Sequence, residues 1–421
     1  MATEGPFLAA IIARLPDPTF NLAAYGVAFA LAILIEAPVI MLMSAATSLV
    51  RDRVSYLKLR NFARFLSLAT TGMLLILLIP SVYVCLTGTV IGLPTEVADL
   101  TYGALWFFLP WPSAIGYRRF LQGVLIRAGK TRLVAWGTVI RLLAMVAAAL
   151  VGFFLLDMPG VWVGGLALGT GVTVEAVVAR FMAASTVREL LERKSDLESR
   201  DRNVTYRDIA SFYFPLALTS LIGLTIQPLL TFFMGRSVAP IESLAIFPVV
   251  HALSFFFRSM GLAFQDTAIA LMGDHFTHLP ELKKFSLSLG LATTAGLSLV
   301  AFTPLSRLWF ETISGLTPEL TNFALVPMRI IVPLPFLSVL LSLQRAILVE
   351  SRRTGHITAA TALEVGTVAL LFVTLGWRLD FVGATAAFTA FVGGRLVSNT
   401  YLLFGCRKVL REQRVPIPKD G

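Results

Sequence analysis

The sequence predicts an all-α polytopic membrane protein made of two repeated six-helix lobes, with the first helix truncated. Three observations predict it. Hydrophobic residues make up 56% of the 421 and charged residues 14%, with a mean hydropathy of +0.79, whereas soluble domains carry about 25% charged residues. Apolar stretches long enough to cross a bilayer recur along the chain. The two halves also align with each other at a nearly constant offset.

A spanning helix needs about 20 apolar residues. Eleven stretches qualify, over roughly 20–50, 61–87, 96–126, 131–156, 160–187, 206–235, 240–272, 283–310, 319–349, 354–376 and 381–405. Their connections alternate in charge. Arg51, Arg53, Lys58 and Arg60 are followed by an uncharged turn at 88–94, then by Arg127, Lys130 and Arg132, then by a turn at 157–160 without a basic residue. Arg188, Arg193, Lys194, Arg200, Arg202 and Arg207 continue the series, with Lys283 and Lys284, Arg352 and Arg353, and a tail holding Arg407, Lys408, Arg411, Arg414 and Lys419. By the positive-inside rule these connections and the C-terminus face the cytoplasm. The net charge of +10 is thereby placed against anionic headgroups, and nucleic acid is excluded as a partner. Lipids and a small solute are the expected partners, and the chain is expected to work as a monomer in the cytoplasmic membrane. Two cysteines, Cys85 and Cys406, are too few for a disulfide framework or metal cluster. The stretch before Pro16 lacks a basic n-region, so no cleavable signal is expected.

The internal repeat fixes the organisation. Pro6 matches Pro228, Arg14 matches Arg236 and Leu22-Ala23 matches Leu244-Ala245, all at one offset. With the register moved by a single position, Leu68-Ala69-Thr70-Thr71 answers Leu291-Ala292-Thr293-Thr294, Gly92-Leu93 with Glu96 answers Gly315-Leu316 with Glu319, Pro110 and Pro112 answer Pro333 and Pro335, and Thr131 answers Thr354. Six helices per repeat put both halves into the membrane the same way round, about an axis along the membrane normal. The expected domains are an N-terminal lobe over 1–187, a cytoplasmic linker over 188–205, a C-terminal lobe over 206–405 and a basic tail over 406–421. The helix expected over 206–235 has a counterpart that begins just ahead of Pro6, so roughly 17 residues of a first helix are expected to be absent from a twelve-helix parent.

Ionised side chains inside a span cost about 2.5–3.5 kcal/mol each on insertion scales, so each needs a partner, a wet cavity or a function. The candidates are Glu36, Arg141, Glu175, Arg258, Arg329, Glu364 and Arg395. Glu36 falls on Arg258 and Arg141 on Glu364 in the repeat, so equivalent positions carry opposite charge, and Glu175 and Arg395 stand in nearly the same relation. In one reading they line a cavity between the lobes, with Arg258 and Arg329 gripping an anion through planar guanidinium forks while Glu36 or Glu364 carries a coupling proton or sodium. In the other they form salt bridges, within or between lobes, or snorkel to an interface. His251, two turns before Arg258, is either a proton-responsive ligand or an interhelical hydrogen-bonding residue. Pro110, Pro112, Pro333 and Pro335, read as mid-helix, would free backbone carbonyls and act as bending points or simply shape packing. The loop Asp274-His275-Phe276-Thr277-His278 with Glu281 has too few ligands for a metal. Gly92 to Glu96 and Gly315 to Glu319 are helix starts, with Thr as cap and Pro or Glu in the first turn.

These features point to alternating access. The chain resembles the superfamily of multidrug, oligosaccharidyl-lipid and polysaccharide exporters, which includes the MATE-like transporters and lipid flippases. Within it the chain is most similar to the progressive ankylosis family. Ala24-Tyr25-Gly26-Val27-Ala28, Pro215-Leu216-Ala217-Leu218, Pro248-Val249-Val250-His251, Val326-Pro327-Met328-Arg329-Ile330 and Val382-Gly383-Ala384-Thr385 carry the resemblance over most of the chain. It lacks the long acidic tail of the animal members. The resemblance implies a secondary transporter, without a cofactor, that exports a small multivalent anion such as pyrophosphate, citrate or a nucleotide. A flippase for a lipid-linked saccharide or pyrophosphate-lipid precursor is the alternative. An enzyme is disfavoured, because the loops are short and hold no phosphate cradle, paired acids or metal cluster.

Overall fold

The computed structural model describes residues 4–192, 205–272, 276–351, 353 and 355–412. Most of the linker, including Arg193, Lys194, Arg200 and Arg202, lies outside the described residues, as do Arg352, Asp274, His275 and the tail from 413. The described residues are almost entirely helical and form no strand, apart from one isolated bridge between Val238 and Val382. Seven helical stretches among the described residues are long and apolar enough to cross a membrane, with Pro18–Leu49 and Pro318–Glu350 each running through a break, or eight if a pair bent by 75° at residues 78–79 counts as one span. The chain is a multi-pass integral membrane protein.

By contacts it divides into two compact units, residues 11–232 and residues 233–421 together with 2–10. The first half of the chain contributes α1 (Glu4–Ile12), α2 (Pro18–Glu36), α3 (Leu42–Leu49), α4 (Arg53–Leu77), α5 (Pro80–Val84), α6 (Thr95–Phe107), α7 (Trp111–Arg127), α8 (Thr131–Leu155), α9 (Gly160–Met182) and α10 (Ala184–Glu192). The second half contributes α11 (Tyr206–Leu224), α12 (Ile226–Met234), α13 (Pro240–Leu271), α14 (Leu279–Phe302), α15 (Leu305–Arg307), α16 (Pro318–Ile330), α17 (Leu334–Glu350), α18 (Gly355–Phe372) and α19 (Gly383–Glu412).

The repeat read from the sequence is written into the backbone. α2 and α13 both begin at a proline, and the residues before them, Asp17 and Ala239, share a left-handed φ of 51° and 52°. Proline pushes its predecessor out of the right-handed helical region, so each helix starts abruptly. Wide π-type turns close the spans at Cys85–Ile91 and Leu308–Ile313, and each is followed by a glycine of positive φ, Gly92 at 77° and Gly315 at 73°. Thr317 caps α16 as expected, accepting from the Leu320 N–H. In the other repeat Pro94 occupies the cap position and Thr95 is already helical, so the expected threonine cap is absent there.

The four prolines do not kink continuous helices. The helix stops at Phe108 and restarts at Trp111, and it stops at Ile331 and restarts at Leu334. Pro110 and Pro333 stand at the caps, with Pro112 and Pro335 in the first turn, where no intrahelical partner is lost. A threonine from the neighbouring helix supports each restart. Thr71 of α4 shares a hydrogen bond of 2.7 Å with Ser113, and Thr294 of α14 accepts from the Phe336 N–H at 3.1 Å.

Helices in lipid associate through close packing of small residues rather than apolar burial. α9 carries Gly164, Gly165, Gly169 and Gly171, and a Cβ on Gly169 would lie 2.4 Å from the Phe107 carbonyl of α6. Gly169→Val is therefore expected to force α6 and α9 apart at about 1–3 kcal/mol, read as a lower melting temperature in detergent. At α4 the Asp52 carboxylate accepts from the Ser55 N–H at 2.7 Å while the Ser55 hydroxyl accepts from the Asp52 N–H at 3.0 Å. Partial burial opposes ionisation of Asp52, but these hydrogen bonds outweigh it and hold the carboxyl below its usual pKa. The stabilisation is thus complete above the ordinary carboxylate range and is lost as pH falls through the depressed folded value. Asp52→Ala should cost about 1 kcal/mol at neutral pH, and a thermal-shift titration should show the difference shrinking below about pH 4.

Candidate functional site

The broken helix α7 carries the densest set of polar side chains in the first unit. Glu175 of α9 is fully buried and takes Arg118 Nη1 at 2.5 Å, Gln122 Nε2 at 3.0 Å and Arg141 Nε of α8 at 3.3 Å. Glu36, at the end of α2, is also buried and accepts the indole N–H of Trp111, the first residue of α7. Arg119 is half-buried. Its Nη1 approaches the sulfur of Met43 at 3.8 Å, and its buried Nε has no acceptor among the described residues.

The second unit is built on α13, α17, α18 and α19. Glu364 of α18 accepts from Arg395 Nε of α19 at 2.8 Å, with both side chains buried. Arg258 of α13 donates its Nε to the Ser338 hydroxyl of α17 at 3.2 Å and lies 4.9 Å from the centre of the Phe391 ring. Its Nη1 is buried without an acceptor, and no carboxylate among the described residues pairs with it. Arg345 reaches the Thr361 hydroxyl at 3.3 Å, again leaving a buried Nε unpaired among the described residues. His251 is half-buried between aromatic rings, 5.7 Å from Phe247 and 6.3 Å from Phe391, nearly parallel to both. Arg329 stands apart: it is exposed in the last turn of α16, with its guanidinium over the Phe302 ring at 5.9 Å.

Opposite charges at equivalent repeat positions thus find partners inside their own units. Arg141 pairs with Glu175 across α8 and α9, and Glu364 with Arg395 across α18 and α19. The polarity is reversed between the repeats. In the register of the second half of each lobe Glu175 falls on Ser398, and Arg395 stands one turn before it on the same helical face. Snorkelling is excluded for Arg141, which is 6% exposed. Sequence reasoning passes over Arg118, Arg119, Gln122 and Arg345. The signal for the first two is a pair of adjacent arginines inside the apolar stretch 96–126, where each is as costly as Arg141.

Counting these residues, the first unit holds three arginines against two glutamates, and the second holds Arg258, Arg345 and Arg395 against Glu364 alone. No cluster of three or more His, Cys, Asp or Glu able to hold a metal occurs among the described residues. Cys406 is buried and Cys85 exposed.

The all-α membrane fold of this chain has counterparts among solved structures. The fold is similar to that of solved MATE transporters and of a lipid flippase. An inward-facing multidrug resistance MATE family transporter is similar over 99% of this chain and 96% of its own, at 17% identity and a TM-score of 0.77. The lipid II flippase MurJ, in an inward closed conformation, is similar over 98% of this chain and 88% of its own, at 14% identity and a TM-score of 0.70. The eukaryotic MATE transporter AtDTX14 is similar over 98% of this chain and 96% of its own, at 12% identity and a TM-score of 0.66. No protein-family model matches the chain. No curated protein matches it significantly.

Proposed function

We propose that the chain is an alternating-access secondary transporter that exports a small multivalent anion of the pyrophosphate, citrate or nucleotide class, as its resemblance to the progressive ankylosis family implies. The observation that carries this reading is Arg258, a buried guanidinium whose one hydrogen-bonding partner among the described residues is a neutral hydroxyl. A permanently charged group so placed is expensive unless something anionic visits it. The aromatic face of Phe391 supports the cation without neutralising it. A cation exporter would instead want acidic groups unopposed by arginine.

In this reading the repeats 1–187 and 206–405 are the moving lobes, the linker 188–205 and tail 406–421 are cytoplasmic, and the protein acts as a monomer in the cytoplasmic membrane. An inside-negative potential drives an anion outward at about 2.3 kcal/mol per charge per 100 mV, so export of a multivalent anion does not depend on a coupling ion, although a proton or sodium can be carried with it. The same arginine suits the pyrophosphate head of a lipid-linked precursor, and the likeness to MurJ keeps that second reading in view.

The test is uptake of labelled pyrophosphate, citrate and ATP into proteoliposomes holding the full chain, beside a lipid-linked diphosphate scrambling assay. Saturable movement of any of the three soluble anions, lost in Arg258→Gln, supports the reading. A folded protein that moves none of them but scrambles the lipid replaces it with the second.

A further inference from the structure

The second unit has an opening that its buried charges do not use. Where the chain turns from α13 into α14 lies a cleft of about 540 Å³, lined by Phe264, Thr267 and Leu271 of α13 and by Glu281, Leu282 and Phe285 of α14, a volume within the ordinary range of ligand pockets. Its floor is apolar: Phe264 and Leu282 are buried, and the Phe264 and Phe285 rings meet at 5.5 Å. Its rim is open. Leu271 and Phe285 are exposed, and Leu287 and Leu291 carry the exposed apolar face onward along α14. Only 28% of the most apolar stretch of α14 is buried, and an uncovered apolar face on a spanning helix meets acyl chains rather than water. The His278 backbone N–H donates to the Met272 carbonyl at 3.2 Å and so holds the two helix ends around the cleft.

Two opposite charges stand at the mouth. Glu281 lines the cleft in the first turn of α14, and Lys284 follows it on the adjoining side of the helix, about 4.5 Å farther into the span. Residues so spaced often pair with each other. Here both are exposed, and neither makes an ion pair among the described residues. An acyl-sized apolar cleft therefore ends in a carboxylate at its outer lip, with an ammonium one turn deeper.

We propose that this cleft binds phosphatidylethanolamine, with an acyl chain between α13 and α14, the headgroup ammonium on Glu281 and the phosphate on Lys284. The order of the charges selects the headgroup. From the glycerol outward this lipid presents a phosphate, a short carbon spacer and then an ammonium, and α14 presents Lys284 and then Glu281 in the same direction. The primary ammonium donates hydrogen bonds to a carboxylate, as a lysine does, whereas the quaternary nitrogen of phosphatidylcholine has no proton to give. Phosphatidylglycerol offers a phosphate and no cation, so Glu281 repels it. The flexible stem of Lys284 lies along apolar surface while its charged end stays at headgroup level. The site lies within one unit and does not depend on which solute the protein moves.

The test is native mass spectrometry of the delipidated full chain in detergent, titrated with phosphatidylethanolamine, phosphatidylcholine and phosphatidylglycerol of identical acyl chains, reading the affinity of the first lipid bound. Phosphatidylethanolamine should bind tightest, by up to about fivefold, as befits a partly solvated ion pair. Glu281→Gln should bring it down to the level of phosphatidylcholine and raise phosphatidylglycerol. Lys284→Gln should weaken all three, because all three carry the phosphate. Thr267→Trp, which fills the cleft from an exposed position, should remove the first binding event for every lipid. Glu281 and Lys284 are exposed, so their substitutions leave the fold intact, and the unchanged melting temperature of the lipid-free protein verifies it. The proposal is overturned if phosphatidylethanolamine binds no tighter than phosphatidylcholine, or if its preference survives Glu281→Gln. It is overturned equally if phosphatidylglycerol binds tightest, which makes this a basic surface for anionic lipid, or if Thr267→Trp leaves binding unchanged, which puts the lipid elsewhere.

Discussion

Arg258→Gln is expected to lower kcat/KM for anion transport about 100-fold, which corresponds to the loss of one strong charge-assisted hydrogen bond or two weaker ones. The same change should leave the melting temperature nearly unaltered, because the hydrogen bond it removes is the one to the Ser338 hydroxyl. Glutamine fills much of the same volume and still donates a hydrogen bond, so the difference isolates the charge. Arg258→Lys should fall between the two, since it keeps the charge but loses the planar fork that matches two anion oxygens at once. Ser338→Ala, which frees the guanidinium from its neutral partner, should change transport several-fold at most. Uptake kinetics in proteoliposomes, paired with thermal unfolding of the same preparations, decide the matter. Near-normal transport by Arg258→Gln would place the anion elsewhere, and a large drop in melting temperature would make Arg258 structural.

The helices are legible in the sequence because the bilayer imposes a length and a composition on every span, and the repeat because two lobes solve one packing problem with the same local devices. A proline after a left-handed residue, a threonine behind a restarting helix and a glycine closing a wide turn each occur twice, at matching positions of the two halves. The helix breaks are less legible, since the sequence reads as kinks what the structure shows to be stops. A pair of prolines in an apolar run marks a weak point, but whether the helix bends or stops depends on whether neighbouring side chains can satisfy the freed ends, as Thr294 does for the Phe336 N–H. Partner choice is less legible still. Glu36 and Arg258 match in the repeat and suggest a pair, yet the first holds Trp111 and the second Ser338. Repeat symmetry identifies equivalent environments, whereas an ion pair needs two side chains to converge. In each unit one ion pair joins consecutive helices, Arg141 of α8 with Glu175 of α9 and Glu364 of α18 with Arg395 of α19, and in the first unit Arg118 of α7 converges on Glu175 as well. Exposed Arg329, which sits in the quoted motif Val326 to Ile330, shows how a charged residue in a span can be placed on its outer face.

Glu175→Gln should cost about 3–5 kcal/mol, because it removes the buried carboxylate that Arg118 and Arg141 share. The substitution preserves shape and hydrogen-bonding capacity, so the loss measures stranded charge rather than a cavity. Glu364→Gln should be milder, since one guanidinium rather than two is stranded. The reversed polarity of the repeats offers a stricter test in the second unit. Exchanging its partners, Glu364→Arg with Arg395→Glu, gives α18 and α19 the polarity that α8 and α9 already carry. Each single change buries like charges against each other and should lower the melting temperature sharply, while the double change should recover more than half of the loss, a coupling of about 0.5–3 kcal/mol. Recovery would mean that these pairs tie consecutive helices into rigid bodies and that their direction is free to vary. It would also leave Arg258, Arg345 and Arg119 as the cations, among those described above, whose positions are not explained by ion pairs that hold the fold together. If the exchanged protein is no better than the singles, the polarity itself matters, and the field that Arg395 and Glu364 set around Arg258 becomes part of how the second unit receives its anion.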